Sequence, residues 1–272
     1  MTYFGFLGLF VGIPIAALAL WMWLDARRGK LVPLQLRTLP PLAIIAAHMV
    51  IAFVYTTPWD NYLVATRVWW YDPALVTGIT LGYVPIEEYT FFLLQPMLSG
   101  LLLFTLARYL PRQQNFRPMP DKRIRYAALI ITASLWSASV AMLADPWPYD
   151  TYLGLILVWA LIPFMGQLVF GADILWRERL LVLSTIAIST LYLAFADSLA
   201  IASGTWTINP NQSLPILLGG VLPIEEFLFF LMTNILIACG ATLMASQESR
   251  QRIAVLLRRS RRFVERQNTV LE

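Results

Sequence analysis

Seven stretches of the chain stay apolar for about the length of a membrane crossing: roughly 3–24, 38–56, 74–107, 124–144, 150–171, 179–202 and 214–245. A helix needs about 20 mainly apolar residues to cross a bilayer. In hydrocarbon the backbone must satisfy its own polar groups, which selects helices over open strands. The short alternating segments of an outer-membrane barrel are not present in this pattern. The third and seventh stretches are longer than one crossing requires. Each contains Pro-Ile-Glu-Glu, at residues 85–88 and 223–226, so two pairs of charged side chains interrupt the most apolar parts of the chain.

The pairs belong to a larger duplication. Asp60, Ala65, Trp69 and Pro73 recur 137 residues later as Asp197, Ala202, Trp206 and Pro210. One extra residue in the following loop moves the offset to 138 for Pro85/Pro223, Glu87/Glu225, Glu88/Glu226, Phe91/Phe229 and Phe92/Phe230. The pattern predicts an all-α polytopic membrane protein with seven transmembrane helices. Two parallel three-helix repeats (spans 1–3 and 5–7) are joined by span 4 as connector. The domain boundaries follow: residues 1–110 for the first repeat, 111–148 for the connector, 149–245 for the second repeat, and 246–272 for a basic cytoplasmic tail. Four crossings separate spans three and seven, so the repeats relate by an axis along the membrane normal. Both glutamate pairs then lie at one depth and can converge on one pocket.

Composition agrees with the pattern: 58% of the 272 residues are hydrophobic and 13% are charged, against about 25% charged in a soluble domain. Seven alternating spans place Arg27, Arg28, Lys30, Arg37, the six basic residues from Arg108 to Arg125 (Arg112 and Arg117 among them), Arg177, Arg179 and the seven from Arg250 to Arg266 on one side. Arg67 alone of the 20 Lys and Arg falls on the other. The positive-inside rule then predicts a multi-pass protein of the cell (cytoplasmic) membrane, N-terminus outside and C-terminus cytoplasmic. This sorting accounts for the basic pI of about 9.3 and argues against nucleic acid as a partner. The tail from Arg250 to Arg266 (with Arg259, Arg261 and Arg262) reads either as a basic helix on anionic headgroups or as a solvated tail. Cys239 has no second cysteine to pair with and reads as packing.

Gly78 and Gly82 precede the first motif, and Gly219 and Gly220 the second. Proline suits the first turn of a helix, and the glutamates after it suit the positive end of the helix dipole. The pattern predicts a short outer segment, a glycine-permitted break and a new helix starting near Pro85 and Pro223, against the alternative of one long kinked helix. Adjacent glutamates diverge by about 100° on a helix, so one can face a pocket while the other orients it. An ionised glutamate in hydrocarbon is costly, and a second beside it adds repulsion. Some of the four are therefore expected to hold a proton and to serve as general acids. Rings of Phe91, Phe92, Phe229 and Phe230 could pack against lipid or line the pocket and stabilise a developing cation.

The tandem Pro-Ile-Glu-Glu motifs, with Asp, Trp and Pro upstream of each, resemble the membrane-integral lycopene cyclase family. The resemblance covers roughly residues 1–245. It implies a redox-neutral closure of the ψ-end groups of lycopene into β-rings, with Glu87, Glu88, Glu225 and Glu226 as the acids and bases. It also implies substrate contacts from Phe91, Phe92, Phe229, Phe230, Trp69 and Trp206. The sequence contains no GxGxxG fingerprint, which agrees with a cyclase that uses no cofactor. The expected substrate is a long linear carotenoid drawn from the bilayer, with membrane lipid around it and carotenoid-pathway enzymes or a second copy of the chain as candidate partners.

Arg67 is a candidate counter-ion for a glutamate or an interfacial arginine, although its repeat counterpart is Gly204. Asp60 and Asp197 either anchor outer loops or act with the glutamates. Trp59, Trp69, Trp70, Tyr71, Trp147, Tyr149 and Trp206 suit an aromatic interface belt. His48 is the only histidine. It reads as structural or as a hydrogen-bond partner of a glutamate, and alone it forms no metal site. Gln95, Gln167, Asn234 and Asp173 are expected to bridge helices. A transporter or proton channel also suits buried carboxylates and broken helices, but most spans lack polar lining. A retinal protein would need a lysine in the last span, and Lys30 and Lys122 both lie in loops. Within the resemblance, a C50 cyclase or an end-group hydratase is the alternative.

Overall fold

A computed structural model describes residues 1–111, 121–144 and 147–258. Among them are seven helices of membrane-spanning length and composition: α1 (Tyr3–Arg27), α2 (Pro41–Ala65), α3 (Ile86–Leu106), α4 (Lys122–Ala144), α5 (Thr151–Arg177), α6 (Arg179–Ala202) and α7 (Ile224–Ala245). With three two-stranded ribbons besides among the described residues, the chain is an all-α, multi-pass membrane protein. The three most buried helices, α3, α6 and α7, form its centre, whereas α4 is mostly exposed and packs on α5. Arg112 and Arg117, and the tail's Arg259, Arg261, Arg262 and Arg266, lie outside the described residues.

The packing repeats. Helix α3 lies against α1 and α2, and α7 lies against α5 and α6. Across the middle, α3 meets α6, α2 meets α7, and α3 meets α7. Equivalent residues face each other there: Gln95 Nε2 donates to Thr233 Oγ1 at 2.7 Å, and these positions are 138 residues apart. Ser99 Oγ donates to Asn234 Oδ1 at 2.7 Å, Gln167 Nε2 to the Leu236 carbonyl, and Arg252 to Asp173. The four polar residues expected to bridge helices therefore do so.

Strands β1 (Trp69–Tyr71) and β4 (Trp206–Ile208) pair antiparallel, with Trp70 opposite Thr207 at the centre. Those two residues are repeat counterparts, so the relating axis passes between them. The flanks obey the same symmetry: Asp72 N–H donates to the Thr205 carbonyl, and Asn209 N–H to the Val68 carbonyl.

The long third and seventh apolar stretches are not continuous helices. Their outer parts are hairpins rather than the expected short segment. β2 (Thr80–Leu81) pairs with β3 (Val84–Pro85) through a two-residue turn, and β5 (Leu217–Leu218) pairs with β6 (Leu222–Pro223) through a three-residue loop. That one-residue difference is the origin of the shift in repeat offset from 137 to 138. Gly82 (φ 69°), Gly219 (φ 59°) and Gly220 (φ 74°) supply the left-handed conformations such loops need. The helices resume one residue after each proline, and Ile86 and Ile224 N–H donate to the Ile79 and Ile216 carbonyls of the hairpins. At α2 the difference runs the other way. The apolar run ends near residue 56, but the helix continues through Pro58 to Ala65 and carries Asp60 inward.

Helix α1 contains a π-turn over Leu7–Gly12, in which Ile13 N–H reaches back to the Gly8 carbonyl just ahead of Pro14. At the opposite end of the bundle Arg108 pairs with Asp25 at 3.6 Å. A further helical stretch over 247–258 is pinned by Arg252 to Asp173 and exposes Ile253, Val255, Leu256 and Leu257.

A Cβ at Gly82 would meet Asn61 Oδ1 at 2.2 Å, and its φ is left-handed, so Gly82→Ala is expected to cost at least about 1–2 kcal/mol. Gly166→Ala, on α5 with nothing within 4 Å, is expected to be neutral or mildly stabilising. Thermal unfolding of the detergent-solubilised variants compares the two, and equal effects would refute the hairpin's role.

Candidate active site

Both Pro-Ile-Glu-Glu motifs build the same local structure. Pro85 (φ −72°, ψ 153°) and Pro223 (φ −53°, ψ 139°) are extended, and each caps the helix that follows. The glutamates fall in the first turn, near unbonded backbone N–H groups, where negative charge is favoured. The two members of each pair then part. Glu87 Oε1 accepts the Thr77 N–H at 2.6 Å, and Glu225 Oε1 accepts the Leu214 N–H at 2.6 Å. Thr77 and Leu214 are repeat counterparts, so the first glutamate of each pair turns back to hold its own hairpin. Both are buried and neither lines the cavity.

The second glutamates face one shared cavity. It lies at the end of the bundle that carries the N-terminus, beneath the β1–β4 ribbon, and has a volume of about 50 Å³. Glu88, Glu226, Asp60 and Asp197 all line it. Its walls are aromatic: Phe91, Phe92, Phe229, Phe230, Trp59, Trp69 and Trp206, with Tyr3, Phe6, Tyr71 and Tyr152. No lysine, arginine or histidine is among the lining residues. Four carboxyl groups in one site without a basic partner cannot all be ionised.

Hydroxyl donors serve the second glutamates. Tyr3 Oη donates to Glu88 Oε2 at 2.5 Å, and Tyr71 Oη to the same oxygen at 3.1 Å. Tyr152 Oη donates to Glu226 Oε1 at 2.8 Å. Burial pushes the Tyr71 hydroxyl well above the ordinary phenol range, and the Glu88 charge pushes it further, so it stays a donor. Trp206 Nε1 donates to Asp197 Oδ1 at 3.0 Å. Neither oxygen of Asp60 has a hydrogen-bond partner among the described residues, and Asp60 is 1% exposed. Trp59 stacks on Trp159 at 4.5 Å and on Phe229 at 5.8 Å, and its Nε1 is tied to the Leu155 carbonyl.

Asp60, Asp197, Trp69, Trp206 and the four phenylalanines thus meet Glu88 and Glu226 at one place. Arg67 and His48 do not. The Arg67 side chain is exposed and makes no ion pair among the described residues. Its carbonyl instead accepts from Asn209 and Gln212. Arg67 is the one non-glycine residue with positive φ among the described residues (60°), at the position where the second repeat has Gly204 (71°). Its place is thus set by a backbone turn. His48 Nδ1 lies 2.8 Å from the Ile44 carbonyl, and its ring packs beside Gly240 and Gln167, away from the glutamates.

Tyr3 and Tyr152 were not among the residues singled out from the sequence. They are counterparts: the Tyr3 N–H donates to the Leu75 carbonyl and the Tyr152 N–H to that of Gln212, positions 137 residues apart. The tyrosines themselves are 149 apart, because the first repeat has 12 more residues between this tyrosine and its aspartate. A search at a second offset would have found them.

A family model described as lycopene cyclase matches residues 31–106 and 149–243. The chain is 33% identical over 249 residues to a lycopene beta-cyclase of Halobacterium salinarum, which covers 90% of this chain and 96% of that protein. It is 38% identical over 207 residues to a bifunctional lycopene cyclase/phytoene synthase of Podospora anserina, and 35% identical over 202 residues to one of Aspergillus niger; each match covers 72% of this chain and 34% of the fungal protein. No solved structure matches the chain. On these matches, the chain belongs to the lycopene cyclase family.

Proposed function

We propose that the chain is a lycopene β-cyclase that closes ψ-end groups into β-rings, giving γ-carotene and β-carotene without net redox change. The observation that carries this reading is the cavity itself: four carboxyls, aromatic walls and no basic side chain among its lining residues. Such a site holds protons, lacks a competing cation and favours a positive charge on a hydrocarbon.

One carboxylic acid protonates the terminal double bond, and a tertiary cation forms. The neighbouring double bond attacks it and closes a six-membered ring. A carboxylate then removes a ring proton, so the proton count is unchanged. Aromatic faces stabilise the cation, and exclusion of water keeps it from being hydrated. Glu88 and Glu226 are the proton-transfer groups in this reading, with Asp60 and Asp197 beside them. Glu87 and Glu225 act indirectly, by fixing the hairpins. Phe91, Phe92, Phe229, Phe230, Trp69 and Trp206 contact the polyene tip, which enters from the bilayer. The duplicated units are residues 1–110 and 149–245, with 111–148 as connector and 246–272 as the tail. The basic residues support the N-terminus outside the cell membrane and the C-terminus in the cytoplasm.

Expression in a lycopene-accumulating host tests the activity. γ- and β-carotene are expected; hydroxylated ends would indicate a hydratase, and unchanged lycopene would refute the reading. Glu88→Gln and Glu226→Gln are each expected to lower the rate at least about 100-fold with normal membrane insertion. Glu87→Gln and Glu225→Gln keep an oxygen for the backbone N–H, and are expected to stay within about tenfold of the parent rate. Pigment chromatography against protein level distinguishes the two pairs, and equal losses in all four variants would refute the division of roles.

A further inference from the structure

The two halves of the cavity are unequal. We propose that the inequality sets the direction of proton flow: Glu226 is the acid that protonates the terminal double bond, and Glu88 is the base that takes the ring proton. The assignment rests on the cyclase reading above.

In a site without a cation, a carboxylate is held only by hydrogen-bond donors. A hydrogen bond to an ionised group is about twice as strong as a neutral one, so the glutamate with more donors is the one that carries charge at rest. Glu88 Oε2 accepts from both Tyr3 and Tyr71. Among the described residues, Glu226 accepts from Tyr152 alone. Tyr3 and Tyr152 are counterparts and cancel in the comparison. Tyr71 does not cancel, because the second repeat has Ile208 at its position.

The aromatic wall also differs between the two repeats. Trp59 stands where the second repeat has Ala196. It stacks on Phe229, with Trp159 behind it. Phe229 lies three residues after Glu226 on α7, and residues at that spacing share a helix face. Phe91 stands in the same relation to Glu88, and Tyr3 and Tyr71 stack at 6.0 Å where they bond Glu88, so aromatic faces serve both ends of the reaction and the donor count alone distinguishes the two glutamates.

The step balances. The Glu226 O–H bond breaks, and the terminal alkene's electron pair forms the new C–H bond. The next double bond forms the ring C–C bond. The ring C–H bond then breaks, its pair becomes the ring double bond, and Glu88 takes the proton. Before the next turnover Glu88 gives that proton up to solvent and Glu226 takes another from solvent, so nothing is consumed.

Turnover of lycopene by the full chain in membranes suspended in D2O tests the assignment. The parent protein should give one deuterium per ring formed and leave residual lycopene unlabelled. Glu88→Gln should form no rings yet return lycopene with deuterium at its end groups, because protonation proceeds and reverses. Glu226→Gln should give neither rings nor label. Tyr71→Phe, which keeps the ring and removes the donor, should slow kcat about tenfold with KM within about twofold, and should label residual lycopene; a purely structural role would not. Label with Glu226→Gln but not Glu88→Gln, no label with either, or parent-like behaviour of Tyr71→Phe would overturn the assignment. Failure of the parent protein to form rings would instead refute the cyclase reading.

Discussion

Burying four acids together with no base is the constraint on which the rest of this architecture depends. Glu88, Glu226, Asp60 and Asp197 reach one cavity from the starts of α3 and α7 and the ends of α2 and α6. Ionised, they would repel one another at close range with little solvent to screen them. The surroundings answer with phenols, an indole N–H and aromatic walls rather than with arginine or lysine. An arginine there would hold the carboxylates as permanent anions and leave no acid to give up a proton.

Most of the remaining structure serves to bring those acids to one depth. Two parallel units place α3 and α7 side by side, each capped by an extended proline. The hairpins bring the chain back under the membrane-end ribbon with their backbone groups paired, as an apolar environment demands. The first glutamate of each motif is used for that task. One motif therefore does two things at adjacent positions: it anchors the loop before the helix, and it presents a carboxyl to the cavity beside it, the group that transfers a proton in the proposed reaction.

Much of this was legible in the sequence. Seven apolar runs marked the spans, and the repeat offset singled out Asp60, Asp197, Trp69, Trp206 and both glutamate pairs. The 100° divergence of neighbouring helical residues showed that the members of a pair differ, but not which one faces inward, since that depends on how each helix is rotated in the bundle. The hairpins were hidden because Ile79–Val84 and Ile216–Leu222 are as apolar as the helices they precede. Tyr3 and Tyr152 were hidden by the 12-residue difference in spacing, and tyrosines near span ends otherwise suit an interface belt. The extension of α2 past residue 56 was hidden because Thr, Pro, Trp, Asp and Asn there look like a loop.

The antiparallel ribbon with Trp70 facing Thr207 marks the point where two copies of one ancestral position touch. In an assembly of two identical chains, any residue chosen for one wall of the chamber would be imposed on the other, and a giver and a taker of protons could not be told apart. Covalent joining lifts that restriction: position 71 can hold a phenol while 208 holds an aliphatic chain, and position 59 a large indole while 196 holds a methyl. Fusion thus turns a symmetric vessel into one with a built-in polarity.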